Sequence, residues 1–252
     1  MTTTPTWKKF ARLLCCCAFV ILAMLGDARA DAFANGNTEY AAGRFAEAAE
    51  QYQTAIAAGE TSAAVFYNLG NAWYRAGDMG RAILNYERAL ALEPRHPEAA
   101  ANIRLAREKA RSLELRKNWW ETFASRATTT HYAVTAAIGF WVFAFAAAAL
   151  LLRRRRSATL ITACIVGLLT CAIGVSGAYA LETGTRGQSL AIVVDKKVDA
   201  RLATADNANT VLTLPPGSEI KVLSTRGDWM YVALPNELRG WIPAQSAELV
   251  RL

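Results

Sequence analysis

Three hydrophobic patterns follow one another along the chain. Up to about residue 110, apolar and small residues recur every three or four positions, as in "AAVFYNLGNAWYRAGDMGRAILNYERALALEPRH" at residues 63–96, and this period predicts amphipathic helices. From His131 to Leu152, and again from Ser157 to Leu181, the pattern gives way to continuous apolar runs without an Asp, Glu, Lys or Arg. From Gln188 onward, apolar and polar residues alternate in the runs "LAIVV", "VDARL", "TVLTLPPGSEIKVLSTRGDWMYVAL" and "LRGWIPAQSAELV". Period-two alternation broken by Pro-Pro-Gly, Arg-Gly-Asp and Asn-Glu predicts about five strands joined by tight turns.

Each long apolar run exceeds the roughly 20 residues that a helix needs to cross the hydrocarbon core. They predict two transmembrane helices, 131–152 and 157–181, joined by the loop Arg153–Arg156. A loop this short and this cationic is held in the cytoplasm by the positive-inside bias, so both flanking regions are expected on the far side of the membrane. The N-terminus agrees. Lys8, Lys9 and Arg12 precede an apolar run from Leu13 to Gly26 and then Ala28-Arg29-Ala30, the form of a signal peptide over residues 1–30. Cleavage is expected after Ala30, with retention as an uncleaved anchor as the alternative. Along the second span, Ala163, Gly167, Cys171, Gly174 and Ala178 form a small-residue stripe suited to close packing against the first span. Trp119, Trp120 and Phe123 precede the first span, where aromatic rings favour the membrane interface.

Charge by region excludes one class of partner. The net charge of +7 divides into +3 in residues 1–30, zero in 31–130, +4 at Arg153–Arg156 and zero in 182–252. Nucleic-acid binding needs basic charge gathered on a folded face, and the candidate folded regions are neutral. Cys15, Cys16, Cys17, Cys164 and Cys171 all lie in apolar runs, and His96 and His131 stand in unrelated contexts. Neither a metal site nor a cofactor is expected, and the chain shows no nucleophile elbow, phosphate loop or paired catalytic carboxylates. The chain reads as a non-enzyme.

In residues 63–96, Phe66, Leu69, Gly70, Trp73, Gly77, Ala82, Tyr86, Ala89 and Pro94 stand at the places that a 34-residue helix-turn-helix period requires. This stretch strongly resembles a tetratricopeptide repeat. The preceding unit, about 29–62, repeats it more weakly through Gly36, Tyr40, Gly43, Phe45, Ala48, Tyr52 and Ala55. After Pro97 a third unit begins and reads as a capping helix running on toward the membrane, so the whole region covers 31–126. Such an array falls short of the roughly three repeats that usually stand alone, and a partner, the membrane or self-association is expected to complete it. The resemblance implies a groove for a protein segment, lined by Phe33, Asn37, Tyr40, Tyr67, Asn68, Asn71, Tyr74 and Asn102. Asn37 and Asn68 match the asparagines of the carboxylate-clamp variety, but Phe33, Glu98 and Asn102 stand where its basic residues belong, which argues for a mixed polar and aromatic groove. The alternative is that these side chains are solvated or pack within the repeat.

Residues 188–252 resemble a bacterial SH3-like domain through Leu214, Gly217, Trp229, Val232, Gly240, Trp241 and Ile242. The resemblance implies an all-β barrel with Trp229, Tyr231 and Trp241 as a ligand face for peptide or cell-wall glycan, or else as core. The sequence therefore predicts a multidomain membrane protein: an all-α repeat region, a two-helix transmembrane hairpin and an SH3-like barrel. This order resembles the BatE-type proteins of bacterial aerotolerance operons. That likeness implies a scaffold in the bacterial inner membrane with both end domains periplasmic, beside von Willebrand factor A-domain membrane proteins and a MoxR-type ATPase in oxidative-stress tolerance. Alternatives are an anchored peptidoglycan-binding module and a regulator of an envelope enzyme.

Overall fold

The computed structural model describes residues 32–116, 119–124, 126–152, 157–184, 187–205 and 207–251. The expected signal peptide (1–30) and the expected cytoplasmic loop Arg153–Arg156 lie outside the described residues.

Five helices open the fold: α1 (residues 32–41), α2 (Phe45–Ala57), α3 (Ala63–Ala76), α4 (Met79–Leu92) and α5 (Pro97–Ala110). Their ends are set locally. The Ser62 hydroxyl accepts from the Val65 amide, Asp78 Oδ1 from Arg81, and His96 Nδ1 from Ala99, so the first turns of α3, α4 and α5 are capped. Gly77, at φ 89°, closes α3 in the left-handed conformation that disfavours other residues. Ala48, Ala49, Ala55, Ala72, Ala82 and Ala89 are fully buried, and their small side chains let the helices approach closely. Gly36 and Gly70 serve the same end: a Cβ at either would stand 2.6 Å or 2.7 Å from the ring of Tyr52 or Tyr86.

α5 ends at Ala110. Arg111 takes a left-handed conformation at φ 52°, its amide donates to Glu108 O, and Ser112 donates to Arg107 O, which together close the helix. The chain then extends through residues 112–116 to a short helix, α6 (Trp119–Ala124).

Helices α7 (Thr129–Leu152) and α8 (Ala158–Thr183) are both long and apolar enough to cross a membrane. They pack backbone to backbone at glycines. A Cβ on Gly167 would stand 2.6 Å from Phe143 N, and one on Gly174 2.5 Å from Ala136 N. Their other faces are apolar and exposed, among them Ile138, Trp141, Phe145, Ile165, Leu168 and Val175.

Seven strands complete the fold: β1 (Leu190–Val193), β2 (Val198–Arg201), β3 (Thr210–Leu214), β4 (Glu219–Arg226), β5 (Trp229–Ala233), β6 (Arg239–Pro243) and β7 (Ala247–Leu249). They form one antiparallel sheet in the order β3-β2-β6-β5-β4-β1-β7. The sheet is open, with β3 and β7 at its edges, where a closed barrel was expected. Inward residues of β1 through β7 nevertheless converge on one core that includes Ala191, Val198, Leu214, Ile220, Val232, Ile242 and Ala247. Arg226-Gly227-Asp228 forms the β4–β5 turn, with Gly227 at φ 56°.

The sheet is docked on the helices. All four residues of β1 are buried, because Ala191 and Val193 face the sheet's own core while Leu190 and Ile192 join Ile83, Leu84, Tyr86, Leu90 and Ile103. Beside the β7 edge, Arg88 of α4 donates to Leu249 O at 3.0 Å and to Glu248 at 3.1 Å. Residues after α5 are tied in as well: Leu113 N donates to Ser218 Oγ, Glu219 N to Leu113 O, and Leu115 N to Glu219 Oε2. The short helical array thus receives from the sheet of its own chain the apolar cover that an array of this length lacks.

Candidate functional site

The expected groove residues occupy the first helices of successive pairs, α1, α3 and α5, and a hydrogen-bond unit repeats across them. Tyr52 OH donates to Asn37 Oδ1 at 2.8 Å, and Asn68 Nδ2 donates to the same oxygen at 3.2 Å. One period later Tyr86 OH donates to Asn71 Oδ1 at 2.7 Å, and Asn102 Nδ2 donates to it at 2.9 Å. Each asparagine oxygen thus joins the second helix of its own pair to the first helix of the next. The first repeat, weak by its consensus residues, carries the same unit as the second.

This arrangement divides the eight expected residues. Tyr40, Asn71, Tyr74 and Asn102 line a cleft of about 200 Å3 together with Arg75, Tyr86 and Leu105. Phe33, Asn37, Tyr67 and Asn68 build the groove's walls instead. Phe33 packs on Tyr52 with ring centroids 5.8 Å apart, and Tyr67 lies 4.9 Å from the His96 ring while accepting from Asn102 at 3.3 Å. The Asn37 and Asn71 oxygens accept two bonds each within the repeats, so their work here is structural.

The tyrosines hold their protons tightly. Burial, with a smaller contribution from Tyr40, pushes the Tyr52 hydroxyl up to about 12. Burial also raises Tyr86, against a lowering contribution from its bond with Asn102. Both remain hydrogen-bond donors at neutral pH. Around the cleft, Lys109 Nζ stands 5.0 Å from the Tyr74 ring and the Arg75 guanidinium 4.5 Å from that of Phe45. The sequence reading missed Arg75, Leu105 and Lys109. Counting 34 residues on from Asn71 reaches Leu105, which is how the periodicity would have found it.

A second face lies on the sheet. Met230, Val232 and Ile242 point inward and are buried, which turns Trp229, Tyr231 and Trp241 outward, half-buried. Tyr231 and Trp241 are paired across β5 and β6 with ring centroids 5.0 Å apart, and Arg201 lies 5.9 Å from the Trp229 ring. All three expected aromatics therefore share one outer surface and are not core.

Among the described residues, no group of three or more His, Cys, Asp or Glu could hold a metal ion. A polar and aromatic cleft without such a cluster is suited to holding a ligand by shape and hydrogen bonds. Gly36 recurs with Gly70, Asn37 with Asn71 and Tyr52 with Tyr86, each after 34 residues. Residues 33–100 match the tetratricopeptide repeat family. Tetratricopeptide repeats suggest a role in protein–protein interaction. No curated protein matches the chain.

Proposed function

We propose that the chain is a membrane-anchored scaffold that holds a segment of a partner protein in the cleft between Tyr40, Tyr74 and Asn102. The observation that carries this reading is the cleft itself: residues of α1, α3, α4 and α5 line it, and no residue of the sheet or the hairpin does. In this reading α7 and α8 span the bacterial inner membrane, the arginines between them stay cytoplasmic, and the repeats and sheet lie together in the periplasm. A common side is supported at the base of the hairpin, where Arg251 pairs with Glu182 at 3.2 Å and Lys221 donates to Thr183 O. The sheet is then an SH3-like module, and the partners are integral proteins with von Willebrand factor A domains in a BatE-type envelope-stress or aerotolerance complex.

A photo-crosslinking residue placed at Leu105, which is 54% exposed at the cleft, tests the proposal in native membranes. A discrete protein adduct is expected, and Tyr74→Ala should weaken it while the same probe at the sheet residue Leu223 gives a different pattern. Absence of any adduct from Leu105, with the chain folded and its proposed partners expressed, would count against the scaffold.

The outward placement of Trp229, Tyr231 and Trp241 favours a second reading, an anchored peptidoglycan-binding module. Aromatic faces stack on sugars, so retention of the detergent-solubilised full chain on purified peptidoglycan, lost in Tyr231→Ala with Trp241→Ala, would support it. Equal retention of the double variant would remove it.

A further inference from the structure

A cavity of about 340 Å3 lies where helices, sheet and hairpin meet, and neither face described above uses it. Leu90 and Leu92 of α4, Leu181 of α8, Leu190 of β1 and Val250 form its apolar wall. Its polar side comes from Thr128, Thr129 and Thr130 at the entry to α7 and from Arg251. Its volume falls within the range of cavities that hold small ligands.

Its place in the fold narrows the ligand class. The cavity sits at the end of the hairpin where α7 begins and α8 finishes. Just beyond it the outward apolar surface of the spans begins, with Val134 53% and Ile138 57% exposed. α6 lies at the same level and carries Trp119, 77% exposed, and Phe123. Aromatic side chains gather at the boundary between lipid headgroups and hydrocarbon. A site at that boundary with one apolar and one polar wall is matched to an amphiphile.

Charge selects the headgroup. Arg251 pairs with Glu182 at 3.2 Å, and Gln188 donates to the other Glu182 oxygen at 2.9 Å. Glu87, the remaining charged lining residue, pairs with Arg107 at 2.6 Å. The charged residues of the lining are therefore Arg251, whose partner Glu182 stands 3.2 Å away just outside the lining, and Glu87, so there is no excess of either sign, which suits a headgroup carrying both. Resting on the membrane-hairpin reading above, we propose that this cavity binds one zwitterionic phospholipid, with an acyl chain along the leucine wall, the phosphate at Arg251 and the ammonium at Glu182. The lipid would then join repeats, sheet and hairpin at their common corner.

The test uses the full chain purified in mild detergent, washed free of loosely held lipid, and assayed by native mass spectrometry and total phosphorus. Added phosphatidylethanolamine is expected to bind at one molecule per chain and to be preferred over phosphatidylglycerol. Arg251→Gln should weaken it about tenfold, as loss of a charge-assisted hydrogen bond does. Ala91→Trp, which fills the cavity from an exposed position on α4, should abolish it while leaving the thermal midpoint of the lipid-free chain unchanged. Absence of stoichiometric lipid, equal retention in both variants, or preference for phosphatidylglycerol would overturn the proposal. Flotation of alkali-washed membranes separates the two readings: a wild-type chain that floats but holds no lipid sinks only this inference, whereas one that does not float sinks the hairpin reading with it.

Discussion

Arg107 of α5 and Glu219 of β4 are hydrogen-bonded across 112 residues of chain, and the same guanidinium nitrogen bonds Glu87 of α4 at 2.6 Å. Glu87 is 2% exposed and Glu219 1%, so this cluster lies inside the joint between helices and sheet. Burial alone would lower the Arg107 pKa, but Glu87, Glu219 and Glu114 more than offset it, and the guanidinium stays charged. Removing one member of a buried ionic cluster costs about 3–5 kcal/mol, whereas replacing the whole cluster by apolar groups is often neutral. Arg107→Leu should therefore lower stability toward denaturant by about that amount, and adding Glu87→Gln and Glu219→Gln should restore much of it. A loss below about 1 kcal/mol in the single variant would show that the cluster does not hold the joint.

At Gly80 the backbone of α4 comes up against the end of β1. A Cβ there would stand 2.6 Å from Val194 O and 2.9 Å from Val193 O, and neither is a side chain that can swing away. Helix propensity alone would make Gly80→Ala stabilising by about 0.5–1 kcal/mol. Overpacking against backbone costs about 1–3 kcal/mol, so the variant should be destabilised. Hydrogen exchange should quicken first in β1, and unchanged protection of Ala191 to Val193 would contradict the docking geometry.

The repeated tyrosine and asparagine unit predicts an alkaline transition. The Tyr52 hydroxyl titrates at about 12 in the fold against 10 when unperturbed, so the folded chain binds the proton more tightly. Stability from this group is complete below about pH 10 and declines as the pH rises toward about 12. Phenolate absorbance should show Tyr52 and Tyr86 ionising late and together with loss of helix. Tyr52→Phe and Tyr86→Phe should each cost about 1 kcal/mol at neutral pH and soften this transition. Ionisation of every tyrosine near pH 10 without unfolding would refute the burial of these hydroxyls.

Close packing of the hairpin rests on Gly139, Gly167 and Gly174. Gly167→Leu would drive a side chain into the α7 backbone at Phe143, so α7 and α8 should separate. The distance between spin labels at the exposed positions Ile138 and Leu168 should increase on Gly167→Leu. An unchanged distance in the variant would show that the helices meet through another face.

The proposed membrane orientation is open to a direct test. Under that topology, in which Arg153–Arg156 stay cytoplasmic, reporter fusions at residues 60 and 252 are both expected to give a periplasmic signal. A cytoplasmic signal from either fusion would invert the proposed topology.

Much of the architecture was legible before the tertiary structure. The 34-residue period around Gly70, Tyr86 and Pro94, the two charge-free runs and the alternation after Gln188 rest on local periodicity, which depends only on neighbours in the chain. The aromatic face was legible in the same way, since Trp229 and Tyr231 stand two apart on one strand. The cleft was only half legible. Tyr40, Asn71, Tyr74 and Asn102 line the cleft, while Asn37, Asn68, Asn71 and Asn102 all take part in ties between helices, because the hydrogen-bond partners of an amide lie on other helices.

By itself, then, the amino-acid order determined which segments are repeat helices, which are long apolar helices and which are strands. Only the tertiary structure decided that α5 stops at Arg111, that the sheet stays open, and that β1 is buried on both faces between the sheet's core and α4. Those outcomes turn on contacts such as Arg107 with Glu219 and Gly80 with Val194, whose partners are more than a hundred residues apart. Local periodicity carries no information about which of two apolar faces will meet, because burial is equally favourable against any surface of matching shape.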